Sequence, residues 1–167
     1  MGVPQPYDPE TLNVPSLGRP SRSSSVPDRA TWRDTTLEQR AAVATRAAAI
    51  LRERGEEFAR SVMSDVGKMI DEARREVALG AEILEFYAET ASAPAAREGR
   101  PLLFCVQPAN CSYDQLARLS APNLLAGNIV MIKHAGKVPQ SALAFEQLWL
   151  EAGAPSGAYA NLVISDD

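Results

Sequence analysis

Three short apolar runs alternate with two helical patterns across residues 102–167, and few folds accept that order. The runs are Leu102-Leu103-Phe104-Cys105-Val106, Ile129-Val130-Met131-Ile132 and Leu162-Val163-Ile164. One helical pattern starts near Ser112 and contains Pro122, which should kink or restart it. The other starts at Pro139 and turns Ala142, Leu143, Phe145, Leu148 and Trp149 inward. Unbroken apolar runs separated by helices predict parallel strands buried on both faces. The expectation is an α/β fold in βαβαβ order, a three-stranded half of a doubly wound sheet with right-handed crossovers.

A helical layer is predicted to precede the sheet, over residues 31–92. Thr35-Thr36-Leu37-Glu38 reads as a capping box with Thr35 as N-cap. The stripe Leu37, Ala41, Ala44, Ala48 and Leu51 follows, and Gly55 is expected to end that helix in a left-handed turn. A second helix is expected over residues 56–66 with Gly67 as its stop, and a third from about Lys68. The third stripe is Ile70, Ala73, Val77, Ala81, Leu84 and Ala88. Gly80 inside it costs about 1 kcal/mol against Ala unless close packing offsets the loss. Residues 1–30 carry Pro4, Pro6, Pro9, Pro15, Pro20 and Pro27 with Ser23, Ser24 and Ser25, and read as a flexible head.

A net charge of -4 argues against nucleic acid, whose phosphates need a concentrated basic surface. No apolar run approaches the roughly 20 residues of a membrane span. The Pro- and Ser-rich start is unlike a secretory signal, so the expected compartment is the cytoplasm and Cys105 and Cys111 are expected as free thiols. Two Cys and one His cannot assemble a thiolate or imidazole zinc cage.

Ligands of open parallel sheets bind at the carboxyl ends of the strands. Two segments meet that condition: Gln107, Pro108, Ala109, Asn110, Cys111 and Ser112 after the first strand, and Lys133, His134, Ala135, Gly136 and Lys137 after the second. Asn110 either caps the following helix or polarises a ligand. Lys133 is either a strand-end surface charge or an anion contact. Cys111 stands near a helix N-terminus, which lowers a thiol pKa, and with His134 and Asn110 it would form a thiol–imidazole pair with an oxyanion donor. The plainer reading is that Cys111 fills space, that His134 packs, and that Cys105 belongs to the core.

Gln107-Pro108-Ala109-Asn110, Ala121-Pro122-Asn123-Leu124-Leu125-Ala126-Gly127-Asn128 and Ile132-Lys133-His134-Ala135 together resemble the aldehyde dehydrogenase superfamily. Gly67-Lys68 with Glu76-Val77, and Glu151-Ala152-Gly153-Ala154-Pro155-Ser156-Gly157, are similar to further segments of it. The Lys-His-Ala form with Val138-Pro139-Gln140 is most similar to the succinate-semialdehyde branch. The resemblance implies NAD(P)-dependent oxidation of an aldehyde through a Cys thiohemiacetal, with a Glu activating water. It implies Asn110 as the oxyanion donor. It also implies Val106, Gln107, Pro108, Lys133 and Gly136 as the cofactor-binding set for NAD or NADP.

Several positions depart from the family pattern. Ala109, Cys111 and Ser112 stand where Trp, Phe and Pro are usual, and Gly136 replaces an acidic or hydroxyl residue. Neither Cys matches the nucleophile, and the family's glycine-rich turn, nucleophile and general base would lie past residue 167. The expectation is therefore a truncated, aldehyde dehydrogenase-like chain that binds NAD(P) weakly or not at all and is not catalytic alone. The alternative is a non-catalytic assembly module, in which a homo-oligomer or a separately encoded partner covers the open sheet edge.

Overall fold

A computed structural model describes residues 32–91, 102–108, 110, 113–135 and 139–162. The expected head, residues 1–30, lies outside the described residues. Helix α1 spans Leu37–Glu53, α2 Gly55–Val66 and α3 Ile70–Thr90. Strand β1 (Leu102–Gln107), helix α4 (Tyr113–Leu125), strand β2 (Ile129–His134), helix α5 (Pro139–Glu151) and strand β3 (Tyr159–Leu162) follow. The strands form one parallel sheet in the order β1-β2-β3. The α/β reading and its βαβαβ order are as expected.

Two crossovers running the same way along a sheet place both helices on one face. Register and burial agree. Val130, Ile132 and His134 are buried and align with Leu103, Cys105 and Gln107 on β1. Tyr159 and Asn161 share that face on β3, where Asn161 hydrogen-bonds into α5. The opposite face carries Phe104 and Val106, which are 52% and 62% exposed. Burial on both faces, as expected from the apolar runs, is therefore not what the described residues show. Helices α4 and α5 cover one side only, and the N-terminal helices stack outside them.

That outer layer is tied down at the ends of α4 and α5. Both helices close with the same turn: Asn128 N–H donates to the Asn123 carbonyl at 3.0 Å and Ala154 N–H to that of Trp149 at 2.9 Å. Arg40 and Arg46, both on α1, then donate from Nε to the Leu125 carbonyl at 2.8 Å and the Ala152 carbonyl at 2.6 Å. Cations suit the negative end of a helix. Gly153, at φ 100°, holds a backbone conformation that side chains rarely adopt, and a Cβ there would also press on Arg46 Nη2 at 2.9 Å. Trp32 adds an indole N–H to the Leu124 carbonyl at 3.1 Å.

Other expectations shift by a residue or more. The capping box belongs to Thr36 and Gln39, because the Thr35 hydroxyl is engaged with the Trp32 carbonyl. Arg54 closes α1, and Gly55 opens α2 without a left-handed turn. Gly67 does end α2, at φ 68°. Helix α4 runs through Pro122 without restarting. Gly80 has the close contact that offsets its cost: a Cβ there would lie 3.3 Å from the Tyr113 backbone. Strand β3 starts at Tyr159, earlier than Leu162.

Candidate functional site

The carboxyl ends of β1 and β2 lie side by side. Val106 aligns with Lys133 and Gln107 with His134. Strand alternation divides these residues between the two faces. Val106 and Lys133 belong to the uncovered face with Phe104, whereas Gln107 and His134 belong to the face under the helices. Pro108 and Asn110 continue from β1 and are exposed. The structure thus places Val106, Gln107 and Lys133 side by side at one rim, with Pro108 directly after β1 and Asn110 two residues further along the chain. Cys111 and Gly136 lie outside the described residues, as do Ala109 and Ser112.

Lys133 is half-buried beside an apolar neighbour that is more than half exposed. This arrangement offers one cation and a nonpolar surface to a ligand lying across the strand ends. Gln107 turns inward, where its amide N–H donates to the Cys105 sulfur at 3.3 Å. Cys105 is half-buried rather than sealed in the core, because β1 is an edge strand.

His134 is 6% exposed and points into the protein. Burial pushes its pKa down to about 4, and the neighbouring Asn161 amide opposes that shift. Neither ring nitrogen has a hydrogen bond of normal geometry, and the Asn161 side chain beside it has its Oδ1 likewise buried and unpartnered. The imidazole is therefore neutral near pH 7. A buried, neutral ring on the helix-facing side fits the packing role, and the thiol–imidazole arrangement involves Cys111, outside the described residues.

Several polar residues near this end of the sheet were not singled out from the sequence. Asn161 donates its side-chain N–H to the Ala142 carbonyl at 2.6 Å and to Glu146 Oε2 at 3.0 Å, and its backbone N–H reaches the same carboxylate at 3.2 Å. Burial raises the Glu146 pKa against the pull of those bonds. Asp65 of α2 accepts the Ser141 backbone N–H at 2.7 Å and so caps the first turn of α5 from outside. Burial raises its pKa too. The Tyr113 hydroxyl, which opens α4, pairs with that of Ser61 at 2.8 Å. Glu146 carried a sequence signal: it stands four residues after Ala142 and three before Trp149, a carboxylate in an apolar stripe.

Lys68 and Glu76 form an ion pair of 2.6 Å with side chains 15% and 20% exposed, so this marked pair braces the loop between α2 and α3. A separate surface groove of about 280 Å³ is lined by Leu51, Arg52, Gly55, Arg74, Val77 and Ala78. Its two cations are engaged, Arg52 with Glu85 and Arg74 with Glu56 and Asp71. Among the described residues no cluster of three metal-ligating side chains occurs, and no helix is long and apolar enough to cross a membrane.

Comparison with known proteins agrees with this geometry. A family model described as "Aldehyde dehydrogenase family" matches residues 24–167. The chain is 38% identical to a succinate-semialdehyde dehydrogenase [NADP(+)] of Deinococcus radiodurans, over 95% of this chain and 37% of that protein. It is 34% identical to the succinate semialdehyde dehydrogenase [NAD(P)+] Sad of Escherichia coli, over 81% of this chain and 32% of that one. Among solved structures, the succinic semialdehyde dehydrogenase of Streptococcus pyogenes in complex with NADP+ superposes with a TM-score of 0.74 at 36% identity, covering 83% of this chain and 34% of that one. The chain thus spans about a third of the length of the curated relatives it matches. Over residues 24–167 the chain belongs to the aldehyde dehydrogenase family.

Proposed function

We propose that this chain contributes a nucleotide-binding rim of the succinate-semialdehyde type, and that its 167 residues do not oxidise an aldehyde by themselves. The observation that carries the reading is Lys133 at the end of β2, aligned with exposed Val106 on the uncovered face. An ammonium beside an apolar surface suits the nucleoside end of NAD or NADP, where a base needs nonpolar contact and a ribose or 2′-phosphate needs a donor. Relatives with 34–38% identity carry NADP(+) or NAD(P)+ in their names, which supports the same ligand class. Bound there, the dinucleotide would supply the hydride acceptor of the family's reaction. Lys133 would hold the ribose and its phosphate, Val106 and Pro108 would face the base, and Asn110 would donate to an oxyanion. The chemistry also needs a thiolate and a water-activating carboxylate positioned together, and neither Cys105 nor Cys111 matches the family's nucleophile.

The test combines binding with turnover. NADP+ titrated to millimolar concentration is expected to raise the thermal midpoint, and Lys133→Ala to weaken binding by roughly tenfold or more, as loss of one charge-assisted contact of about 1.5–3 kcal/mol implies. Succinate semialdehyde with NADP+ is expected to give no product. No thermal shift would refute the rim, and turnover by the purified chain would refute the inactivity.

A second reading is assembly with another copy of the chain. It is favoured by β1, an edge strand with no charged residue between Leu102 and Gln107 and with Phe104 and Val106 exposed. Light scattering is then expected to give a dimer mass that Phe104→Lys reduces to the monomer. A monomer in the parent chain rejects this reading.

A further inference from the structure

His134 is the chain's only histidine, and the structure seals it where a charge has no counterpart. It ends β2 beside the Asn161 side chain of β3, and neither ring nitrogen has a hydrogen bond of normal geometry. The charged groups on the elements around it are already engaged, and the polar group beside the ring is the neutral Asn161 side chain, whose Oδ1 is otherwise unpartnered. From α5, Glu146 Oε2 accepts both Asn161 N–H groups. From β1, the Cys105 sulfur accepts the Gln107 amide. Tyr113 of α4 pairs with Ser61, and Asp114 lies 3.8 Å from Arg118. Asp65 of α2 caps α5. Glu146 is also a poor counter-ion, because burial favours its own protonated form.

We infer that His134 makes the end of β2 acid-labile: proton uptake by this single imidazole forces the strand end out of its place beside β3 and withdraws Lys133 from the rim. An imidazolium sealed with only a neutral amide beside it is costly, and the simplest relief is to expose the ring to water. Lys133 precedes His134 in the chain, so the rim moves with it. The consequence at Lys133 rests on the nucleotide reading above; the lability does not.

The sign follows from linkage. The folded pKa, about 4, lies below the ordinary value of 6.5. Stability from this group is complete above pH 6.5 and is lost as pH falls toward the folded value. Glu146 and Asp65, whose pKa values are raised, act in the opposite direction on acidification. The carboxylates held low by arginine, such as Glu56 and Glu85, lose their contribution only at lower pH.

The experiment uses the full chain without nucleotide, in urea, at pH 7.5 and pH 5. The folding equilibrium constant is expected to fall about 25-fold from His134, as pKa values of 4 and 6.5 require. His134→Leu, which fits a buried position, is expected to abolish that fall, and Glu146→Gln to preserve or steepen it. Proton NMR of the single imidazole gives a measure independent of any variant. A titration midpoint below pH 5 in the folded chain supports the inference; a midpoint near 6.5, or an unchanged acid response in His134→Leu, overturns it. In a parallel arm NADP+ affinity is expected to drop with the same pH profile in the parent and to flatten in His134→Leu. Absence of NADP+ binding at neutral pH would refute the nucleotide reading alone, since the stability and NMR arms contain no nucleotide.

Discussion

Phe145→Ala is expected to lower the unfolding free energy by about 3–5 kcal/mol, a large share of the stability of a domain this size. Phe145 is fully buried and its ring meets three others. It stacks on Tyr113 at 5.6 Å and meets Trp149 at 6.3 Å and Tyr159 at 5.4 Å edge to face. Tyr113 in turn packs edge-on against Phe58 at 5.4 Å. Four elements therefore join in one aromatic cluster: α4 through Tyr113 and β3 through Tyr159 meet the Phe145 ring of α5, and α2 joins through Phe58 on Tyr113. Truncation leaves a cavity that none of these bulky, conformationally restricted rings can collapse to fill, so the cost belongs at the high end of large-to-small core changes. Phe145→Leu keeps most of the volume and is expected to cost less than half as much. Denaturant titration of both variants checks this, with unchanged slope confirming that the native state is the same. A loss below about 1.5 kcal/mol for Phe145→Ala would mean that the aromatic contacts do not join the outer helices to the sheet.

The Phe145 cluster was legible in part. Periodicity placed Ala142, Phe145, Leu148 and Trp149 inward, because a 3.6-residue repeat reports which helix face is buried. It did not reveal that Tyr113 and Tyr159 meet there, since aromatic neighbours from distant segments leave no periodic trace. The sheet was readable from its three apolar runs, but its uncovered face was not: an apolar strand looks the same whether one face or both are packed. Thr35 and Thr36 both satisfied the capping-box spacing, and only the tertiary contact to Trp32 selected Thr36. At the rim, residue identity marked Lys133 and Asn110 but alternation decided the faces, placing Lys133 with Val106 and turning His134 inward. Alternation with Val130 and Ile132 was already visible in the sequence and could have predicted the burial of His134. Arg40 and Arg46 had no such signal, because a helix surface arginine looks solvated until the partner carbonyls arrive from other helices.

Asn161→Ala is expected to cost about 2–4 kcal/mol at pH 7.5, because two buried hydrogen bonds go and one of them serves a carboxylate. Asn161 Nδ2 bridges the Ala142 carbonyl at 2.6 Å and Glu146 Oε2 at 3.0 Å, fastening β3 to α5 next to the rim. Removing the amide leaves the Asn161 backbone N–H as the remaining donor from β3 to a largely buried carboxylate. The penalty must depend on pH with a definite sign. Burial already raises the Glu146 pKa, so the folded chain takes up a proton there more readily than the unfolded chain and gains stability as pH falls. Without its amide donor the carboxylate is driven further toward the neutral form. The difference between Asn161→Ala and the parent is therefore largest when Glu146 is ionised and shrinks on acidification. Asn161 also opposes the lowering of the His134 pKa, so the comparison is made in the His134→Leu background, where Glu146 sets the pH dependence of the difference. Glu146→Gln supplies the converse: its amide oxygen still accepts from Asn161 while the buried charge is gone, so stability at pH 7.5 is expected to hold or rise. Urea titrations at pH 7.5 and pH 5 decide the matter. A cost under about 1 kcal/mol, or one identical at both pH values, would show that β3 is held by apolar packing alone.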